Sequence, residues 1–101
     1  MSEIQTLVDR IACEFHPQKI ILFGSHAAGD AGPYSDVDLL VIIDSAEHPA
    51  RTAARITERV HPRRYSVDLI VRSPETIRTR LKMNDCFMRE VIGKGRVVYA
   101  A

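Results

Sequence analysis

Lys19-Ile20-Ile21-Leu22-Phe23 runs into Gly24-Ser25-His26-Ala27-Ala28-Gly29, and after a turn-rich passage Ser35-Asp36 leads into Val37-Asp38-Leu39-Leu40-Val41-Ile42-Ile43. The first run is short, apolar and β-branched, and a glycine closes it, so it reads as a buried strand. The last run is apolar on both faces beyond its first residues. That pattern belongs to a central strand covered on both sides. Two aspartates at its start are therefore out of character and need a physical reason.

Working outward, residues 2–15 repeat apolar side chains at three and four (Ile4, Leu7, Val8, Ile11, Ala12, Phe15), which predicts an amphipathic helix stopped by Pro17. Ser2 and Gln5 have capping-box spacing. Pro49 suits the first turn of a helix running to about Val60. Residues 65–71 (Tyr65-Ser66-Val67-Asp68-Leu69-Ile70-Val71) read as a third strand, and Ser73-Pro74 as the cap and first turn of a further helix. Another helical stretch runs from Asp85 to Gly93, and Arg96-Val97-Val98-Tyr99 is a last strand. The order is α-β-β-α-β-α-α-β, without repeats or linkers. It predicts one α+β domain over residues 1–101, a small mixed β-sheet flanked by helices.

Composition narrows the class. The chain has 101 residues, 46% apolar and 27% charged, which excludes disorder. No apolar run approaches the ~18 residues of a membrane span, so no membrane role is expected. The acidic N-terminus lacks the features of a secretory signal. Cys13 and Cys86, both read as lying on apolar helix faces, are too few for a disulfide framework or zinc site, so a cytoplasmic location is expected. Residues 1–50 hold two bases and eight acids, net −6, while residues 51–101 hold twelve bases and five acids, net +7. Such asymmetry suits a cation site facing an anionic substrate, and two separate solvated faces give the same count.

Asp36 and Asp38 are two apart at a strand start, so they point to one face with Cα atoms about 7 Å apart. Carboxylates entering an apolar strand are costly unless something compensates them. Hard cations such as Mg²⁺ use one or two carboxylates together with substrate phosphates. Upstream, Gly24-Ser25 follows a strand and opens a short helix, where backbone N–H groups and a hydroxyl can hold phosphate oxygens. A third acid, Asp68, faces opposite to Val67, Leu69 and Val71 in its strand. A lone Asp-x-Asp is more often a turn pair; the combination is what raises this one above that reading. The P-loop pattern fails, because Asp30-Ala31 replaces Lys-Ser/Thr, and the calcium-loop pattern fails at Leu40 and Val41. The four histidines show no ligand spacing. Arg51, Arg55 and Arg59 share a helical face that is either solvated or a contact for an acidic partner. The six Phe and Tyr residues form no stacking platform, so nucleic acid is not expected as a direct ligand.

Gly24-Ser25 through Asp36-Val37-Asp38-Leu39, with the later acid Asp68, resembles the signature of the DNA polymerase beta-like nucleotidyltransferases. The short chain and the ending Val91-Ile92-Gly93-Lys94-Gly95-Arg96-Val97-Val98-Tyr99 resemble the minimal nucleotidyltransferases (MNT), commonly the antitoxin halves of HEPN/MNT toxin–antitoxin pairs. The resemblance implies that Gly24, Ser25 and Ser35 bind the nucleotide. It also implies that Asp36, Asp38 and Asp68 are the catalytic carboxylates and hold Mg²⁺, two ions in all. The activity implied is transfer of AMP from ATP to a hydroxyl of a partner protein, a HEPN toxin, with which the chain forms a hetero-oligomer. Because a chain this short leaves little for a second substrate domain, the acceptor is expected to arrive as another protein. Two alternatives stay open: an MNT-fold antitoxin that neutralises by binding alone, and nucleotidyl transfer to a small molecule of the aminoglycoside type. The first is favoured by His26-Ala27-Ala28, standing where family members often carry arginines.

Overall fold

Ile4, Leu7, Val8 and Ile11 form the buried stripe of helix α1 (Ser2–Phe15). His16 leaves that helix through the left-handed region (φ 52°) and buried Pro17 prevents its continuation. The computed structural model describes residues 2–29, 31–32, 36–60 and 66–101. After α1 come β1 (Lys19–Phe23), the one-turn α2 (Ser25–Ala28), β2 (Val37–Ile42), α3 (Pro49–Val60), β3 (Val67–Arg72), α4 (Pro74–Lys82), α5 (Cys86–Lys94) and β4 (Arg96–Ala100).

The four strands form one mixed sheet in the order β3-β2-β1-β4. β1 pairs antiparallel with β2 and β4, and β3 runs parallel to β2 after the α3 crossover. β2 is thus central, as its apolar run requires. Alternation sorts its side chains between two cores. Val37, Leu39 and Val41 join Ile20, Leu22 and Val71 under α1 and α3, where Val8, Ile11 and Ile56 are fully buried. Leu40 and Ile42 join Ile21 on the opposite face, covered by Ile77 of α4 and by Met88 and Val91 of α5. Each fully buried aliphatic side chain contributes about 1.5–3 kcal/mol. Gly95 lets α5 close onto β1, since a Cβ there would overlap the Val91 carbonyl and the Ile21 side chain.

Local signals act as the sequence suggests at two helix starts. Ser73 Oγ accepts from the Thr76 amide at 3.0 Å ahead of Pro74, and Pro49 opens α3. The Gln5 side-chain amide donates to Asp9 at 2.9 Å. Cys13 and Cys86 are exposed rather than apolar-facing, because the stripe of α1 and the Met88/Val91 face of α5 turn the other way. The third strand starts at Val67; Tyr65, the expected start, lies outside the described residues. Other ends differ by a residue, as helix and strand ends do. No helix among the described residues is long and apolar enough to cross a membrane.

Candidate active site

Strand register does what linear spacing cannot. Phe23, the last residue of β1, lies opposite Asp38, and Asp38 lies level with Asp68 of β3. The three form a row across neighbouring strands at one end of the sheet. All three belong to the phase of Ile21, Leu40 and Ile70, and so to the face that α4 and α5 cover lower down. Asp36 and Asp68 are exposed, Asp38 half-buried.

The chain turns sharply at the head of this row. Gly24 has φ 74° and ψ −153°, a conformation open to glycine alone. Its missing side chain also has a steric reason: a Cβ would overlap Oδ2 of Asp38 and stand 3.1 Å from its Cγ. The Asp38 carboxylate therefore lies directly over the Gly24 α-carbon. Ser25 follows as the first residue of α2, where a helix start leaves backbone N–H groups without intrahelical partners.

Asp38 has a raised pKa, first because burial penalises its charge, then because Asp68 and Asp36 repel it; His26 acts in the opposite sense. Like charges crowd a half-desolvated carboxylate. Oxygen-only acids in that state suit a hard divalent cation by their donor chemistry. Among the described residues, no three His, Cys, Asp or Glu side chains are gathered closely enough to cage an ion by themselves. Ser35 lies outside the described residues, so its relation to the row is not part of this geometry. Among the other candidates, Arg55 is paired with Glu47 and Arg59 with Glu14, so that face of α3 is solvated and engaged with the protein's own acids.

The fold adds residues that sequence reading did not assign to a site. A cleft of about 340 Å³ opens beside Gly24 and Ser25, walled by Phe87, Glu90 and Lys94 of α5. The Phe87 ring meets Phe23 edge-on with centroids 5.8 Å apart. The only sequence signal was the helical spacing of 87, 90, 91 and 94, which by itself denotes a helix face.

A family model, nucleotidyltransferase domain, matches residues 4–99. The chain belongs to this family. A candidate protein adenylyltransferase of Methanocaldococcus jannaschii is 35% identical over 83 residues, covering 81% of this chain and 78% of the relative. Among solved structures, a toxin–antitoxin with AMP-PNP superposes with a TM-score of 0.62 at 18% identity, over 96% of this chain and 73% of the other. A candidate nucleotidyltransferase from Sulfolobus solfataricus gives 0.58 at 19% identity, over 93% and 74%. At those identities the two structures establish the shared fold. Together with the family match and the relative, they bear out the resemblance to the minimal nucleotidyltransferases. The protein is a nucleotidyltransferase.

Proposed function

We propose that this nucleotidyltransferase, as one domain over residues 1–101, transfers AMP from ATP to a hydroxyl of a partner protein in the cytoplasm. The observation that carries this reading is the Asp38 carboxylate lying over Gly24, level with Asp68 and repelled by its acidic neighbours. A glycine turn at a helix start and a set of mutually repelling acids meet at one sheet end. In this reading Gly24 admits the triphosphate close to the main chain, and Ser25 and Ser35 offer it hydroxyls. Asp36, Asp38 and Asp68 are the residues that would hold Mg²⁺, two ions in all, with substrate phosphates completing the ligand set. Cations held there would neutralise phosphate charge and polarise the reacting phosphoryl group.

The acceptor oxygen attacks the α-phosphorus, the bond from that phosphorus to the β-phosphate bridging oxygen breaks, and pyrophosphate leaves. Asp68, exposed on the outer strand of the row, takes the hydroxyl proton. The name of the Methanocaldococcus relative and the toxin–antitoxin fold neighbour support a protein acceptor. In this reading that acceptor is a HEPN toxin, which the modification silences. The competing reading, neutralisation by binding alone, is favoured by one observation: His26-Ala27-Ala28 brings no arginine to α2.

The test is incubation with ATP, Mg²⁺ and the product of the neighbouring gene, followed by intact mass. The partner should gain mass in whole AMP units only when both ATP and the divalent ion are present. Neutralisation without a mass change, surviving Asp38→Asn, would establish the binding-only reading.

A further inference from the structure

The sheet has two outer strands, and they stand differently to the acidic row. β4 is two strands away from Asp38, whereas β3 carries Asp68 itself. On β3 the bonds Val37 N–H to the Ser66 carbonyl (2.9 Å) and Ile43 N–H to the Arg72 carbonyl (3.1 Å) fix the ladder's phase. In a parallel pair with that register, residues 66, 68, 70 and 72 bond to β2. The N–H and C=O groups of Val67, Leu69 and Val71 therefore point outward. Arg72 covers one of them, its guanidinium donating to the Val71 carbonyl at 2.7 Å. A charged side chain folded back over an edge is a common guard against unwanted pairing.

A groove of about 630 Å³ follows this edge between α3 and α4. Its floor is Leu69–Arg72, its walls include Ala53 and Thr76, and its charged or titratable lining is Arg72, His48 and Arg80, the last also paired with Asp85 at 3.0 Å. Among the described residues lining it there is no acid. Its length, backbone polarity and charge match an extended peptide bearing carboxylates.

We propose that the open edge of β3 is the docking strand for the acceptor, taking up an extended, acidic segment of the partner protein by β-addition. This rests on the transfer reading above and supplies what that reading lacks, a way to present the hydroxyl. A strand added to β3 lies about 4.8 Å from it, and alternate side chains fall on the face that carries Asp38 and Asp68. A Ser, Thr or Tyr level with Asp68 thereby extends the row by one position, next to the proton acceptor. A glutamate further along the segment draws Arg72 off the Val71 carbonyl. The same basic groove repels its own copy, which disfavours pairing of two β3 edges.

Amide exchange by NMR tests this with a nine-residue probe, one central tyrosine flanked by alternating valine and glutamate, and a control with lysine for glutamate. In the free chain the amides of Val67, Leu69 and Val71 should exchange faster than those of Asp68, Ile70 and Arg72. The glutamate probe should slow the three outward amides at least tenfold, and the lysine control should not. Leu69→Pro removes an outward donor together with a side chain packed against the core; Arg72→Glu reverses that residue's charge and keeps every backbone group. Each should weaken probe binding about tenfold or more while leaving the stabilisation by Mg²⁺–ATP unchanged. Equal protection by both peptides, protection confined to β4, no protection at millimolar probe, or protection that appears with protein concentration alone would overturn the proposal. Failure of the transfer reading looks different: the probe docks, yet Mg²⁺–ATP neither stabilises the chain nor adds AMP to the tyrosine.

Discussion

Asp85 and Asp38 both stand at the start of a regular element, and their surroundings pull them in opposite directions. Asp85 precedes α5, accepts from the Met88 amide at 3.0 Å and receives Arg80 at 3.0 Å, and its pKa is lowered first by the backbone bond and then by Arg80. Asp38 sits one residue into β2 with acids on both sides, and its pKa is raised by burial and repulsion. The first carboxylate has its partners within the fold. The second is crowded by Asp68 and Asp36, with His26 acting in the opposite sense. The same side chain is thus a structural cap in one region and a crowded, half-buried carboxylate in the other.

The largest effect expected from this contrast is at Asp38. Asp38→Asn should cost on the order of a thousandfold in transfer, since metal-assisted charge stabilisation is worth several kcal/mol. In EDTA the variant should melt no lower than the parent, and it should gain little from Mg²⁺–ATP, which stabilises the parent by mass action. Thermal melts in the four conditions decide it; a variant that melts lower in EDTA and still responds fully would make Asp38 a structural residue like Asp85.

Gly24→Ala comes next. A methyl group there meets the Asp38 carboxylate and adopts a backbone conformation costing about 1–3 kcal/mol. Both a lower melting point and weaker nucleotide binding should follow, measured by thermal melt and ATP titration. An alanine variant with parental nucleotide affinity would separate the turn from the site.

Asp85→Ala should do the reverse of Asp38→Asn. Losing the cap and the Arg80 pair lowers the melting midpoint by a few degrees and leaves the KM for ATP unchanged. If transfer fell while stability held, the division between the two aspartates would collapse.

The smallest effect is the pH dependence in EDTA, and its sign differs between the pair. Asp85 titrates below the ordinary carboxylate value of 3.8 in the folded chain, so its contribution is present above that value and lost as pH falls through the depressed one. Asp38 titrates above 3.8, so the folded state holds its proton more tightly. Its contribution is present below 3.8 and lost as pH rises through the raised value. Removing the Asp38 carboxyl should therefore flatten the loss on the alkaline side of that window, and removing Asp85 the loss on the acid side. Urea melts across pH 3–6 read both, about the carboxylate range.

The sequence by itself determined the elements, because strand and helix periods are local. Val37–Ile42 had to be central, since it is apolar on both faces, and Asp68 had to oppose Val67 and Leu69, since alternation leaves no other phase. The pairing of Gly24-Ser25 with Asp36 and Asp38 was legible for the same reason, both lying at the ends of readable strands. Tertiary structure alone decided that Asp68 falls level with Asp38 and that Asp38 covers Gly24, because register is set by packing of the two cores rather than by any one strand. It also turned Cys13 and Cys86 outward, brought Phe87 and Lys94 beside Ser25 from more than sixty residues away, and left β3 at an edge. Strand order is a property of how four apolar faces share two layers of helices. No single segment carries that information.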